Sequence, residues 1–212
     1  MGAPTSKVDI CNLAMDHIGG GIIVSVDTPT TEQEIKCARW YDATRRAILR
    51  GFPWTFARAR RSISRDATAP SFGWADAYNL PNDLLRLNFI GDDSIIDYKQ
   101  KYAMEGRQLL LNNSGEASIN IGYTKDETDV GKFDALFIDL LAVEIAWRPT
   151  FAFTMKPSLK KALFEARDIL RTEAKAVNSQ ERPPIRVERS KFKEARQRLT
   201  SNVAGKNTVF DS

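Results

Sequence analysis

The sequence is poor in the side chains from which most active sites are built. It holds one histidine, His17, and two cysteines, Cys11 and Cys37, among 212 residues. A Ser–His–Asp triad would require His17, and no serine lies in the Gly-x-Ser-x-Gly turn that exposes such a nucleophile. The glycine run at 19–21 is followed by Ile-Ile-Val instead of Lys and Ser/Thr, so it is not a phosphate-binding loop. We therefore predict no catalytic residue, no cofactor-binding residue and no cofactor.

Signals for metal sites and membrane segments are also weak. The acidic runs Asp126–Asp129 and Asp92–Asp93 lack the spacing of a calcium loop. Asp129 is better explained as a residue placed near the N-terminus of the following helix. The longest apolar run, Phe133–Trp147, is shorter than the ~20 residues that cross a bilayer, and three acids interrupt it. We predict no metal site, no membrane segment, no signal peptide and two reduced, buried thiols.

Charge is distributed unevenly along the chain. The net charge is +4, yet residues 39–65 hold eight arginines and one acid, and residues 181–200 hold seven basic side chains and three glutamates. Such a division suits contact between unlike surfaces, including neighbouring copies of the chain. Six arginines of the first run, called here the arginine belt, are the predicted subunit-interface residues: Arg45, Arg46, Arg50, Arg58, Arg60 and Arg61.

Three interpretations of the arginine belt stay open at this stage. It is a solvated helix face with local ion pairs, an interface with a subunit or another protein, or a direct nucleic-acid-binding surface. An aromatic knot adjoins it, made of Phe52, Pro53, Trp54 and Phe56. Strand alternation from residue 54 to residue 60 would place both halves on one face. Because one buried face cannot hold both, we expect the knot in the core and the arginines beyond its edge, accessible to another molecule.

Hydrophobic periodicity predicts an α+β fold, mainly a helical bundle that carries an inserted β-rich subdomain. The predicted helices cover 6–19, 31–51, 131–150 and 158–178, and the β-rich insert covers about 54–125. Capping boxes are expected at Ser6 with Asp9 and at Thr31 with Glu34. The apolar run from residue 133 to 147 predicts a central helix covered on most sides, in which Glu144 pairs with Arg148 at i,i+4.

The chain divides in this prediction into a main domain, 1–181, and an extended C-terminal arm, 182–212. The arm follows the linker sequence RPP and contains a weak helix, 188–200. Isolated helices of this length are marginal, so we expect the arm to become ordered on a partner. The predicted docking residues are Arg189, Lys191, Phe192, Lys193, Ala195, Arg196, Arg198 and Leu199.

Three short segments give the sequence a family resemblance. They are NLAMDHIGG at 12–20, FPWTFARARR at 52–61 and YNLPNDLLRL at 78–87. In this order and spacing they resemble the tail tubular protein A family of short-tailed bacteriophages, also called head-to-tail adaptors. The resemblance covers the chain to about residue 178, and the part beyond residue 182 is less recognisable.

The resemblance implies a virion structural protein without enzymatic chemistry. Such adaptors form a ring, usually of twelve subunits, between the portal and a tail nozzle of the tail tubular protein B type, and genomic DNA passes through the lumen without sequence-specific binding. The protein would be made in the host cytoplasm and reside in the virion. Two alternatives stay open: a nucleic-acid-binding regulator that uses the arginine belt, and a tail-associated cell-wall hydrolase with two positioned carboxylates.

Overall fold

The structure is a computed structural model and describes residues 4–91, 102–112 and 115–181. It mixes helices with two antiparallel sheets, which confirms the α+β class. The predicted docking arm, 182–212, lies outside the described residues. No described helix is long and apolar enough to cross a membrane.

Three helices begin within one residue of their predicted starts at 6, 31 and 158. Helix α1 is Lys7–Asp16, α2 is Glu32–Gly51, α3 is Ala135–Trp147, α4 is Thr150–Thr154 and α5 is Pro157–Gln180. Both predicted capping boxes are present: the Ser6 and Thr31 hydroxyls accept backbone N–H groups at the third helical position, where Asp9 and Glu34 reach back. Two orphan donors are satisfied at each start.

Two predicted helices differ from the prediction in their bounds, and the second of them also ends at Trp147 instead of residue 150. Helix α1 ends at Asp16 instead of residue 19, and a turn follows that brings Gly19 to a φ of 65°. The helix predicted over 131–150 is divided: Val130–Lys132 form a 3-10 turn, and α3 begins only after Asp134. The Asp134 carboxylate accepts the N–H groups of Leu136 and Phe137, so it is the true cap. Asp129 caps the 3-10 turn through Gly131 instead.

Helix α3 is the centre of the helical core, as its composition predicted. It packs against α1, α2 and α5. Nine of its 13 residues are buried, which leaves no continuous wet face: Phe137, Ile138, Leu140, Leu141, Ala142, Val143, Glu144, Ile145 and Ala146. The helices are therefore held by apolar burial around α3.

Six described strands lie between α2 and α3 in the chain. They are β1 Arg58–Ser64, β2 Asp76–Asn79, β3 Leu84–Ile90, β4 Tyr102–Glu105, β5 Gln108–Leu111 and β6 Ser118–Lys125. One sheet has the order β1-β6-β3 and the other the order β2-β5-β4. An isolated bridge between Arg65 and Tyr78 links them. The two sheets share a hydrophobic cluster that contains Ile63, Tyr78, Leu109, Leu111, Ile119, Ile121 and Tyr123.

The β-rich region begins later than residue 54. Thr55–Ala57 form a 3-10 turn, and β1 starts at Arg58, opposite Thr124 of β6. The expected alternation from Trp54 to Arg60 is therefore wrong. The aromatic side chains pack into the helical core, and the backbone has to turn before it can pair with β6. Within β1 itself, Ile63 faces the core and Arg60 lies exposed.

Candidate interaction surface at the helix–sheet junction

The aromatic knot fixes the start of β1 against the helices. Trp54 is fully buried, and its ring meets Phe52 and Phe137 edge-on, with centroids 5.3 and 5.1 Å away. Phe56 continues the stack to Phe137 at 4.9 Å and to Phe133 at 5.6 Å. Edge-to-face pairs at these distances add to the stabilisation from burial alone. Pro53 restricts φ between the first two rings.

Arg45 does not offer its guanidinium to another molecule. The residue is only 3% exposed, and Nη1 donates to Asp126 Oδ1 at 2.6 Å and to the carbonyl oxygen of Glu127. Nη2 donates to Asp42 at 3.2 Å. The expectation that the whole belt lies accessible is therefore wrong for Arg45. This side chain ties α2 to the segment that follows β6.

Two further belt arginines on α2 contact residues in or next to the sheet of the same chain. Arg46 is exposed, and its Nε lies 3.2 Å from Asp126 Oδ2. Arg50 donates to the carbonyl oxygen of Leu85 in β3 at 2.6 Å. These contacts orient the helix against the sheet and leave the outer parts of both side chains in solvent.

The three belt arginines on β1 lie on both faces of the strand. Arg58 is half-buried, whereas Arg60 and Arg61 are exposed. The Arg60 guanidinium lies 5.7 Å from the centre of the Phe89 ring, a cation–π arrangement. Arg61 approaches the Tyr123 phenol; burial raises the pKa of Tyr123, and Arg61 opposes that rise. The subunit-interface role of the belt stays a prediction.

A second exposed surface was missed by the sequence reasoning: a rigid apolar loop between α1 and α2. Glu34 is only 2% exposed, and its carboxylate accepts the N–H groups of Val24, Ser25, Thr30 and Thr31. These hydrogen bonds, that of Thr31 foremost, hold the pKa of Glu34 far below its usual range. The capping box signalled part of this role, but nothing local signalled the reach to residue 24.

The same loop presents two branched side chains to solvent. The Asn12 amide donates to the Ile23 carbonyl at 3.1 Å and accepts the Ile23 N–H at 2.7 Å. Ile23 is buried, so its neighbours Ile22 and Val24 point outward and are 84% and 79% exposed. A fixed backbone with exposed apolar side chains is a feature of protein-binding surfaces.

The predicted pair of Glu144 and Arg148 does not form. Glu144 is buried, and it bonds Arg171 of α5, with Arg167 Nε at 3.8 Å. Arg148 instead lies over the Trp40 ring, 5.1 Å from its centre. Helix α5 packs along α3, so its arginines lie next to the Glu144 carboxylate and pair with it instead of Arg148. Arg167 and Arg171 lie four residues apart, so both fall on one face of a helix. This spacing was the signal in the sequence for a pair of cations on α5.

Both cysteines are ordinary parts of the core. Cys11 and Cys37 are buried free thiols, and the hydrogen bond to Cys37, together with burial, raises the pKa of Cys11. Within residues 4–91, 102–112 and 115–181, no group of three or more His, Cys, Asp or Glu side chains is arranged to hold a metal ion.

No protein-family model matches the sequence, and no curated protein is significantly similar to it.

Proposed function

We propose that the protein is a ring-forming head-to-tail adaptor of a short-tailed bacteriophage. It would join the portal to the tail nozzle in the virion, form part of the DNA channel and carry out no catalysis. The observation that carries this proposal is the order of NLAMDHIGG, FPWTFARARR and YNLPNDLLRL along the chain. The finer arrangement that we propose is a helical bundle, 1–181, with the sheets as its insert and 182–212 as its arm.

The positions of these segments support the proposal, because each shapes a junction of the fold. The first segment covers the second half of α1 and the turn at Gly19. The second contains the aromatic knot and enters β1. The third runs from the end of β2 into β3, and Pro81 separates the two strands. The three segments therefore lie where the chain passes from one helix or strand to the next, so their resemblance concerns the path of the chain as well as its composition.

The surface also supports a ring. A closed ring uses a heterologous contact, in which one patch of a subunit meets a different patch of the next. The described surface offers unlike patches: Arg60 and Arg61 on β1, and Ile22 and Val24 on the α1–α2 loop. Other large apolar side chains also lie exposed: Ile35, Phe72, Tyr102, Met104, Phe151, Met155, Phe164, Ile169 and Val177.

Electron microscopy of the purified full-length chain tests the proposal, alone and mixed with the portal protein of the same genome. We expect rings with a central channel, usually of twelve subunits, in at least one condition. A monomer that neither self-associates nor binds portal, by imaging and by sedimentation, contradicts it. Steeply salt-dependent DNA binding by such a monomer would favour the regulator instead, and cleavage of cell walls in a zymogram would favour the hydrolase.

A further inference from the structure

A small cavity lies where α2, α3 and α5 meet. Its volume is about 190 Å³, on the order of six water molecules at ~30 Å³ each. Apolar atoms of Ile48, Trp54 and Leu140 line one part of it. The other part is lined by charged side chains of α3 and α5: Glu144, Arg148, Arg171 and Lys175.

The charges of this cavity do not balance. It has three cations and one carboxylate, and that carboxylate is shared between Arg171 and Arg167. No described carboxylate lies within ion-pair distance of Arg148 or Lys175. The Arg148 Nε is buried and has no hydrogen-bond partner. A buried donor without a partner is costly.

Aromatic rings hold the two unpaired cations without neutralising them. Arg148 lies over Trp40 with a separation of 5.1 Å, and the Lys175 ammonium lies 5.8 Å from the centre of the Phe52 ring. A cation on an aromatic face keeps its full charge and is preorganised for an anion. The two charges therefore stay available at the cavity.

We propose that this cavity binds a carboxylate carried on an apolar stem. The carboxylate would accept hydrogen bonds from Arg148 and Lys175, and the stem would cover the apolar wall formed by Trp54 and Leu140. A compact dianion such as phosphate fits less well, because it would leave that wall wet and would lie near the Glu144 carboxylate. The acid comes either from a free small molecule or from an acidic side chain of a second copy of the chain.

Sodium hexanoate is the probe that tests this site in the full-length protein. We expect saturable one-to-one binding of hexanoate by calorimetry at low salt. A tryptophan indole signal should shift on binding. Inorganic phosphate should bind more weakly at equal ionic strength. Arg148→Met and Lys175→Met should each weaken hexanoate binding at least tenfold. Ala47→Leu should also weaken it, because the larger side chain fills the cavity lining without removing a charge.

Lys161→Met is the matched control, since Lys161 lies on α5 away from the cavity and its side chain is 79% exposed. It should bind hexanoate as the unmodified protein does. The proposal is overturned if hexanoate does not saturate, if phosphate binds equally well, or if the control loses as much affinity as Lys175→Met. Thermal melts of all variants identify a loss of binding that comes from unfolding, and Lys175→Met keeps the test valid if Arg148→Met does not fold.

Sedimentation of the same variants identifies the source of the carboxylate. If it belongs to a second copy, Lys175→Met reduces self-association and hexanoate competes with it. If it is a free molecule, self-association is unchanged while hexanoate binding is still lost. Hexanoate binding by the isolated chain does not depend on the ring, so this site and the proposed adaptor function fail or succeed separately.

Discussion

The indole N–H of Trp54 donates a hydrogen bond of 3.1 Å to the carbonyl oxygen of Ile48. Through this bond the last turns of α2 hold the ring that also packs on Phe137 of α3. Trp54→Ala should destabilise the protein by about 3–5 kcal/mol, as truncation of a buried tryptophan does. Chemical denaturation measures the loss. Trp54→Phe should cost less because it keeps most of the buried area, and an unchanged melting temperature for Trp54→Ala would contradict the anchoring role.

Charge reversal on β1 should separate assembly from folding. Arg58→Glu combined with Arg61→Glu is expected to impair self-association and portal binding more strongly than it lowers the melting temperature, because Arg61 is exposed and Arg58 is only half-buried. Sedimentation velocity and thermal melts check the two effects. Lys156→Glu with Lys161→Glu, on exposed positions before and in α5, is the control of equal charge. Equal loss of assembly in both pairs would show a net-charge effect instead of an interface.

Arg45 and Arg46 should differ sharply although they are adjacent. Arg45→Met leaves Asp126 and the Glu127 carbonyl short of a buried donor, which should cost about 1.5–3 kcal/mol of unfolding free energy. Arg46→Met removes an exposed ion pair worth less than about 1 kcal/mol. Urea denaturation of both variants measures the difference. If the two losses are equal, Arg45 is not the tie between α2 and the segment after β6.

Glu34 should make the stability of the α1–α2 loop depend on pH. Its pKa is lower in the folded protein than in the unfolded chain, so its contribution is present above the ordinary glutamate value of 4.5. That contribution is lost as the pH falls below this value toward the folded-state pKa. Glu34→Gln should therefore be less stable than the unmodified protein at pH 7, and the two should converge in acid. Denaturation at several pH values checks this, and a constant difference would contradict it.

The C-terminal arm gives the prediction that concerns the portal. Deleting residues 182–212 should leave a folded protein that no longer sediments with portal rings. The arm has 31 residues and, fully extended, would reach ~100 Å at ~3.3 Å per residue. A milder variant, Phe192→Ser with Leu199→Ser, should weaken the same binding. Full portal affinity in the deleted protein would mean that another surface docks.

Local signals predicted local features well. The caps at Ser6 and Thr31 and the coverage of α3 could be predicted because each depends on residues within a few positions of one another. The predictions that were wrong concern features that depend on residues far apart in the chain. Residues 55–57 have a strand-like pattern, but they form a 3-10 turn because the neighbouring aromatic rings pack into the helical core. Glu144 pairs with Arg171 because α5 lies beside α3.

The candidate surface was predicted only in part for the same reason. The count of arginines was visible in the sequence, but the burial of Arg45 requires Asp126, which lies 81 residues away in the chain. The apolar loop was hidden because the exposure of Ile22 and Val24 depends on the anchoring of Ile23 by Asn12. Asn12 and Ile23 lie eleven positions apart, and no helical or strand periodicity marks their contact.

As subunit contacts, the loop that exposes Ile22 and Val24 and the exposed arginines of β1 would respond to salt in opposite directions. Sodium chloride screens contacts made by exposed arginines, whereas ammonium sulfate at high concentration strengthens contacts between apolar side chains. If the loop forms the subunit contact, sulfate will promote assembly and chloride will affect it little. If Arg60 and Arg61 form it, modest chloride will dissolve the assembly. The two candidate contacts therefore predict different effects of the two salts on assembly.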